Sequence, residues 1–334
     1  MSTKVFVSGA TGFIARQTIK LLLSRGYKVV GSVRSSEKGE ILKKSYGASF
    51  SYEIVEVLER DGAFDEALKK HPDVTIFLHT ASPVTPFSTE LEKNVLIPAI
   101  SGTKYVLKSI YEYAPQITRV VVTSSWAAII PVPDRFNPKF VGSEDIWNPI
   151  TYEEAKQDSI HAYFGSKTFA EKAAWEFVEK NKPNFDLSTV NPVFVLGPQS
   201  KDEEVKDTLN VTAELVNSIL KLNPKDEVPT LEGNFVDVRD VALAHVLAFE
   251  KEEAKGQRLV LVTERYSGQL VLDIIRKNFP ELGDKLPVGV PGSKDGSNFA
   301  APNDKKTRSI LGFDRINLEK SVVDAVEQIQ RVKA

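Results

Sequence analysis

The chain is predicted to be an α/β protein built on a doubly wound parallel sheet, with a smaller C-terminal lobe. Three observations predict this fold: short β-branched runs alternate with helical patterns, the first run ends in a glycine-rich turn, and the pattern changes after Pro198. Such alternation is typical of parallel strands joined by crossover helices. Near-continuous apolar strands suit a sheet that is covered on both faces.

Each element is predicted from its own pattern. Strands are expected at the β-branched apolar runs Val5–Ser8, Lys28–Val33, Phe50–Val55, Val74–Thr80, Arg119–Ser125 and Asp186–Asn191. Helices are expected near Ile14–Arg25, Glu37–Tyr46, Ala63–Lys70, Glu90–Tyr113, Ser159–Asn181, Asp207–Lys221 and Val238–Lys251. Right-handed crossovers then place a ligand crevice at the carboxyl ends of the strands.

Domain boundaries follow from the change of pattern. Residues 1–198 are expected to form a nucleotide-binding domain, to which Phe235–Glu250 and Arg258–Val262 return, so that the return segment spans about 234–262. Residues 199–233 and 263–334, where prolines interrupt shorter elements, are expected to form a smaller substrate-binding lobe.

Composition excludes several functional classes. The 334 residues carry a net charge of -2, so general attraction to nucleic acid or an anionic membrane is not expected. There are no cysteines, which excludes thiolate nucleophiles and fits a reducing, cytoplasmic location. The four histidines lack metal-ligand spacing, so no metal site is expected. No apolar run approaches the roughly 18–20 residues of a membrane span, and the first strand starts too early to leave room for a signal peptide.

The turn after the first strand has the pattern of a phosphate-binding loop. It consists of Gly9, Ala10, Thr11, Gly12, Phe13 and Ile14, followed by Ala15. The glycines permit a tight turn and close approach of the backbone to a pyrophosphate, and the N-terminus of the next helix faces that anion. A glycine turn of this kind can also serve packing alone. Its place at the start of a βαβ unit favours dinucleotide binding.

The end of the second strand favours NADP(H) over NAD. NAD-binding folds usually place a carboxylate there, on the ribose 2′-hydroxyl. Here Arg34 ends the strand, Lys38 follows one turn later, and Glu37 is the first acidic residue of the chain. A 2′-phosphate would therefore meet two cations. Alternatively, both cations are ordinary solvated surface charges.

A proton-transfer group is predicted in the long helix after residue 158. Tyr163 and Lys167 are four residues apart and share one helix face. Delivery of a hydride to a carbonyl produces an alkoxide that needs a proton and a hydrogen-bond donor. A nearby ammonium makes a phenol a better acid–base group at neutral pH. Ser124 and Ser125, at the end of the fifth strand, are both candidates for the donor.

The combined motifs resemble the extended short-chain dehydrogenase/reductase superfamily, and within it the dihydroflavonol-reductase-like branch. The resemblance runs nearly end to end and rests on residues 6–15, 79–83, 97–103, 120–125, 163–172, 191–198 and 236–242. It implies a Rossmann fold and an NADPH-dependent reductase of aldehydes and ketones that also works in reverse. It further implies a small-molecule substrate and a monomer or homodimer.

The resemblance also assigns roles to individual residues. Ser125 would hold the carbonyl oxygen, Tyr163 would give the proton, and Lys167 would lower the pKa of Tyr163 and hold the ribose. The cofactor would further contact the loop residues Gly9 to Ile14, the pair Arg34 and Lys38, and Ala81, Ser82, Pro192, Val193, Val195 and Thr212. Relatives place an Asp and an aliphatic residue at the adenine; here those positions are Val57 and Leu58. The expected substrate pocket consists of Val84, Trp126, Ile130, Ile160 and Phe194, of which Ile130 and Ile160 could equally be core residues.

Two other functions share this scaffold. One is an NAD-dependent nucleotide-sugar epimerase or dehydratase, which Arg34 and the missing acid disfavour. The other is a non-catalytic NADP-sensing protein, which would typically lack the pair formed here by Tyr163 and Lys167.

Overall fold

The computed structural model describes residues 3–82, 88–210, 212–293 and 298–333. Its main feature is a seven-stranded sheet in the order β10-β7-β5-β4-β1-β2-β3. All neighbouring strands in this sheet are parallel. Its members are β1 (Lys4–Ser8), β2 (Lys28–Val33), β3 (Phe50–Ile54), β4 (Val74–His79), β5 (Arg119–Thr123), β7 (Asp186–Pro192) and β10 (Arg258–Leu261). The predicted doubly wound sheet is therefore confirmed.

Ten α-helices lie within the described ranges. They are α1 (Phe13–Ser24), α2 (Ser36–Tyr46), α3 (Asp65–Lys69), α4 (Ile97–Tyr113), α5 (Ser159–Asn181), α6 (Glu214–Ile219), α7 (Val238–Glu250), α8 (Gly268–Asn278), α9 (Lys305–Leu311) and α10 (Leu318–Lys333). The helix predicted near Glu90 begins with a π-helical turn over Glu92–Leu96 that continues directly into α4. One predicted helix start is wrong, because α6 begins seven residues later than expected.

The side chains of β1 show why the sheet is covered on both faces. Phe6 packs with Phe64 and Phe77 in one hydrophobic cluster, and its ring stacks 4.9 Å from that of Phe77. Val5 and Val7 are fully buried in the cluster on the opposite face. Alternation along one strand thus fills two cores, as expected for a strand with helices above and below it.

Two smaller sheets complete the fold. A three-stranded sheet in the order β11-β9-β8 contains β8 (Phe194–Leu196), β9 (Glu232–Asp237) and β11 (Glu264–Ser267). A two-stranded sheet pairs β6 (Val141–Gly142) with β12 (Ala301–Pro302). A third hydrophobic cluster, which includes Leu196, Phe235 and Val322, lies against the three-stranded sheet.

Three elements, β9, α7 and β10, were expected to return to the nucleotide-binding domain, and two of them pack with it. Strand β10 joins the main sheet beside β7, and α7 packs against α1. Strand β9, which contains Phe235, instead pairs with β8 and β11 in the small sheet. The placement of the domain boundaries stays a prediction.

Candidate active site

The turn after β1 requires glycine at residue 9. Gly9 has a φ of +66°, and a Cβ atom there would lie 2.9 Å from the Cα atom of Ala81. A side chain would therefore be strained in conformation and would overlap the chain that follows β4. The Gly9 amide also donates to the Ser32 hydroxyl at 2.9 Å. These contacts hold the loop against the ends of both neighbouring strands.

The N-terminus of α1 is open to an anion. Helix α1 starts at Phe13, its cap residue Gly12 provides no side-chain hydrogen bond, and no acidic residue lies in its first turn. Free N–H groups and the positive helix end therefore face out of the loop. Gly12 has a φ of -72°, so its backbone conformation does not require glycine. Its expected close approach to a pyrophosphate stays a prediction.

Arg34 and Lys38 lie together at the carboxyl end of β2. Both side chains are exposed, and Ser35 between them caps α2 by accepting from the Lys38 amide. Among the residues that the structure describes, neither cation forms a salt bridge with a carboxylate. The pair is thus available to a phosphate.

The two residues expected at the adenine differ in their surroundings. Val57 is 47% exposed beyond the end of β3. Leu58 turns towards α4, because a Cβ atom on Gly102 would lie 2.8 Å from the Leu58 Cγ atom. Neither side chain offers a hydrogen-bond acceptor to an amine, so their contact with adenine stays a prediction.

A buried hydroxyl joins the ends of β1 and β4. Ser8 Oγ lies 2.9 Å from His79 Nδ1 and accepts from the amides of Thr80 and Ala81, each at 3.1 Å. Burial, with a further contribution from the charge of Lys167, lowers the pKa of His79 to about 3. The imidazole is therefore neutral and fixes the strand ends that carry Ala81 and the half-buried Ser82.

The candidate catalytic side chains meet where α5 faces the end of β5. The Tyr163 hydroxyl lies 3.3 Å from the Ser125 hydroxyl, and Ser125 also accepts from the Ala127 amide at 3.1 Å. Ser124 points away from this pair and donates to the Glu171 carboxylate. Of the two serines that the residue pattern left open, Ser125, the one that the resemblance assigns, is thus the one that contacts Tyr163.

The surrounding protein shifts the pKa of both helix residues. Burial raises the pKa of Tyr163 even though 38% of the residue is exposed in the crevice, and the hydrogen bond with Ser125 opposes this rise. Burial lowers the pKa of Lys167 to about 8, and the Glu171 charge opposes that fall. The expected lowering of the Tyr163 pKa by Lys167 stays a prediction, because burial has the largest effect on the phenol.

The expected nicotinamide contacts lie at the carboxyl end of β7. Pro192 and Val193 are buried, and the Val193 amide donates to the Leu261 carbonyl at 3.2 Å. Val195 is buried in β8. Thr212 is half-buried shortly before α6, in a segment that is remote in sequence from this strand end.

The structure separates the expected pocket residues into three groups. Trp126 and Ile130 are buried in a hydrophobic cluster, and a Cβ atom on Gly142 would lie 2.2 Å from the Trp126 ring. Ile160 is 45% exposed one turn before Tyr163. The ring of Phe194 stacks 4.7 Å from that of Tyr266. Val84 lies outside the described residues.

The sequence interpretation missed the polar side chains beneath the catalytic residues. Glu171, Asn191, Thr189 and Arg258 are buried together behind Ser124. One sequence feature indicates Glu171, because it extends the four-residue spacing of Tyr163 and Lys167 by another turn. No local pattern indicates Arg258, which lies 87 residues further along the chain.

Other candidate sites lie apart from this centre. Two depressions of about 570 and 360 Å³ are lined by polar and charged residues that include none of the catalytic side chains. Among the described residues, no group of three or more His, Asp or Glu side chains is arranged to hold a metal ion. In the same part of the chain, no helix is both long and apolar enough to cross a membrane.

Comparison with known proteins gives full-length matches. A family model for the NAD-dependent epimerase/dehydratase family matches residues 5–262. The putative NADPH-dependent methylglyoxal reductase Grp2 of Candida albicans is 50% identical over 336 aligned positions, which cover 98% of each chain.

Solved structures of similar proteins give matches of the same extent. A reductase studied by structure-guided engineering is 64% identical, with a TM-score of 0.96 over 99% of this chain and 100% of that one. Yeast methylglyoxal/isovaleraldehyde reductase Gre2 in complex with NADPH is 45% identical, with a TM-score of 0.95 over 99% of each chain. The predicted resemblance is thereby confirmed, and the chain belongs to the NAD-dependent epimerase/dehydratase family, that is, to the extended short-chain dehydrogenases/reductases.

Proposed function

We propose that the protein is an NADPH-dependent carbonyl reductase that converts aldehydes and ketones to alcohols and also works in reverse. One observation carries the proposal: the Tyr163 hydroxyl is within 3.3 Å of Ser125, with Lys167 one turn further along the same helix. The names of the relatives, which are NADPH-dependent methylglyoxal reductases, support the same class.

The residues at the strand ends fit NADP(H). The positive φ of Gly9 and its packing against Ala81 form a turn that an alanine would disrupt. The uncapped start of α1 offers N–H groups to the pyrophosphate. Arg34 and Lys38, both exposed, would hold the 2′-phosphate by charge-assisted hydrogen bonds. The ends of β4 and β7 would line the rest of the cofactor.

Three side chains of this protein carry the proton chemistry. Bound NADPH supplies a hydride to the carbonyl carbon. Ser125 donates a hydrogen bond to the carbonyl oxygen, and Tyr163 transfers its proton to that oxygen as charge develops. Protonated Lys167 stabilises the resulting phenolate and binds the ribose. Solvent then restores the proton of Tyr163.

The two alternative functions are less well supported. An NAD-dependent epimerase or dehydratase would place an acid where Arg34 stands. A non-catalytic sensor would have no use for the contact between Tyr163 and Ser125.

The pocket residues favour medium-sized, largely apolar carbonyl compounds, such as diketones and keto esters. Trp126 and Phe194 offer aromatic surface, and Ile160 is exposed beside Tyr163. Such walls stabilise apolar groups and give no partner to a charged one.

Three further properties are part of this proposal. Residues 199–233 and 263–334 would form a substrate-binding lobe; they supply most of the third hydrophobic cluster, which they share with Leu196 and Phe235. The protein is cytoplasmic, which its lack of cysteines supports. It acts as a monomer or homodimer on a small molecule.

The decisive experiment measures consumption of NADPH, and separately of NADH, with a panel of aldehydes, ketones, diketones, keto esters and a keto acid. We expect reduction with a clear preference for NADPH. The absence of NADPH consumption with every carbonyl would contradict the proposed function. Equal use of both cofactors would contradict the role given to Arg34 and Lys38.

A further inference from the structure

We infer that Glu171 is a positioning residue that holds Ser125 against Tyr163 and places a balancing negative charge one helical turn from Lys167. This inference rests on the proposed function only where it concerns turnover. Its structural part concerns the described residues alone.

The Glu171 side chain is fully buried, and hydrogen-bond donors surround both of its oxygens. Oε1 accepts from Arg258 Nε at 2.6 Å, and the Thr189 hydroxyl lies 3.0 Å from Oε1 and 2.8 Å from Asn191 Oδ1. Oε2 accepts from Asn191 Nδ2 at 2.7 Å and from the Ser124 hydroxyl. One carboxylate thus joins α5 to strands β7 and β10 and to the end of β5.

Two of these contacts lead to the catalytic serine. Ser124 precedes Ser125 in the chain, so its hydrogen bond to Glu171 fixes the adjoining peptide. Asn191 donates one amide proton to Glu171 and the other to the Ser125 carbonyl oxygen at 3.2 Å. Both constraints act on Ser125 through neighbouring atoms, so Glu171 itself does not contact the reacting groups.

Arg258 balances the buried charge of Glu171. Its Nη1 atom donates to the carbonyl oxygens of Glu144 and Ile146 at 2.8 and 2.6 Å. Its guanidinium also lies 3.7 Å from the centre of the Trp147 ring. The cation is therefore held from several sides, and the carboxylate that it pairs with is fixed in turn.

The same carboxylate acts on Lys167 by charge. Among the described residues, the titratable side chains whose charge interacts with Lys167 are the neutral His79 imidazole on β4 and Glu171 on α5. Of these, only Glu171 is negatively charged, and it raises the pKa of Lys167 against the effect of burial. Loss of this charge therefore favours the neutral amine.

The substitution Glu171→Gln tests the inference with little change in shape. A glutamine amide must place its NH₂ group where either Ser124 and Asn191 or Thr189 and Arg258 now donate. Asn191 cannot reverse its amide without losing the Ser125 carbonyl. The hydroxyls of Ser124 and Thr189 can turn to accept, but the NH₂ group would still face Asn191 Nδ2 in one orientation and Arg258 Nε in the other. In either case the hydrogen bonds around residue 171 must rearrange, and we expect Ser125 to move.

The matched control is Glu144→Gln. Glu144 is also buried, and its carboxylate accepts from the Thr307 amide and hydroxyl at 3.1 and 2.6 Å. The substitution changes only this side chain and keeps the Glu144 backbone carbonyl that accepts from Arg258. Both variants lose a buried carboxylate, so both lower the melting temperature. Only Glu171→Gln should change the active site.

We expect Glu171→Gln to lower kcat by roughly 10- to 100-fold, as a displacement near 1 Å does. We also expect the alkaline limb of its kcat–pH profile to move down by on the order of 1 pH unit. Glu144→Gln should keep the wild-type kcat and profile. If both variants lose kcat in parallel, or Glu171→Gln keeps it, the inference is wrong.

Two further measurements cover the remaining outcomes. If Glu171→Gln does not fold, Ser124→Ala is used instead, because it removes one hydrogen-bond donor and leaves the Glu171 charge in place. We expect it to lower kcat without moving the alkaline limb of the kcat–pH profile. A wild-type kcat in this variant would overturn the inference. If the wild type reduces no carbonyl, the proposed function fails, and a crystal structure of Glu171→Gln decides instead. An unchanged separation of 3.3 Å between the Ser125 and Tyr163 hydroxyls would refute the positioning role.

Discussion

The cofactor end and the catalytic end of the crevice are built in different ways. At the end of β2, the proposed selectivity for NADPH rests on Arg34 and Lys38, two exposed side chains without salt bridges among the described residues. At the end of β5, Ser125 is buried and backed by the hydrogen-bonded group around Glu171. Exposed charges are easily exchanged, whereas a buried polar network tolerates little change. Cofactor choice should therefore be easy to alter and the proton chemistry difficult.

The largest effect is expected at the catalytic end. Tyr163→Phe removes the proton donor and should lower turnover by roughly 10²–10⁴-fold while NADPH binding remains nearly intact. Steady-state kinetics measure the first quantity, and quenching of NADPH fluorescence measures the second. A variant that keeps more than half of the wild-type turnover would show that another group gives the proton.

A smaller effect is expected at the cofactor end. Arg34→Asp replaces a charge-assisted contact by repulsion, so NADPH affinity should fall by about 10- to 100-fold and the preference over NADH should narrow or reverse. Arg25→Asp is the control. It changes the net charge of the protein by the same amount, at an exposed arginine that pairs with Glu250. Equal losses in both variants would point to the overall charge of the protein.

Substrate choice should change with little loss of rate. Trp126 is 8% exposed and packs on Gly142, so Trp126→Ala should destabilise the fold by about 3–5 kcal/mol and enlarge the pocket. We expect kcat/KM to shift towards bulkier ketones while the KM for NADPH stays constant. A change in stability alone would place Trp126 outside the pocket.

The mildest test uses pH. The pKa of Lys167 is lowered to about 8, so the side chain is charged below that pH and neutral above it. Reduction should therefore be constant near neutral pH and decline as pH rises through about 8. In Lys167→Arg, the side chain keeps its charge at every accessible pH. If reduction by that variant declines over the same pH range, the decline belongs to another group.

These two ends also differ in how well the sequence predicts them. The strands of the main sheet were predicted to within two residues, and the glycine loop and Tyr163 lie at the expected strand and helix ends. Such features are local, because a run of β-branched residues or a four-residue spacing is read directly from the chain. Residue patterns alone left Ser124 and Ser125 open, because the contacts that separate them, Ser125 with Tyr163 and Ser124 with Glu171, join residues that are distant in sequence.

The misplaced start of α6 has a local cause that a periodic pattern does not show. The Leu209 amide donates to Glu214 Oε2 at 2.6 Å, and Asn217 Nδ2 donates to the Asp207 carbonyl at 2.9 Å. Side chains of the helix thus bind the preceding backbone, which competes with helix formation there. Residues 207–210 form a loop folded onto α6.

The pairing of Arg258 with Glu171 also bears on the order in which a nascent chain can become active. The loop of Gly9 and the pair of Tyr163 and Ser125 are all synthesised before residue 258. Until β10 docks beside β7, Glu171 lacks the guanidinium that pairs with it, and burial of an unpaired carboxylate is strongly unfavourable. A ribosome-bound fragment that ends before β10 can therefore contain every catalytic side chain and still lack an assembled centre.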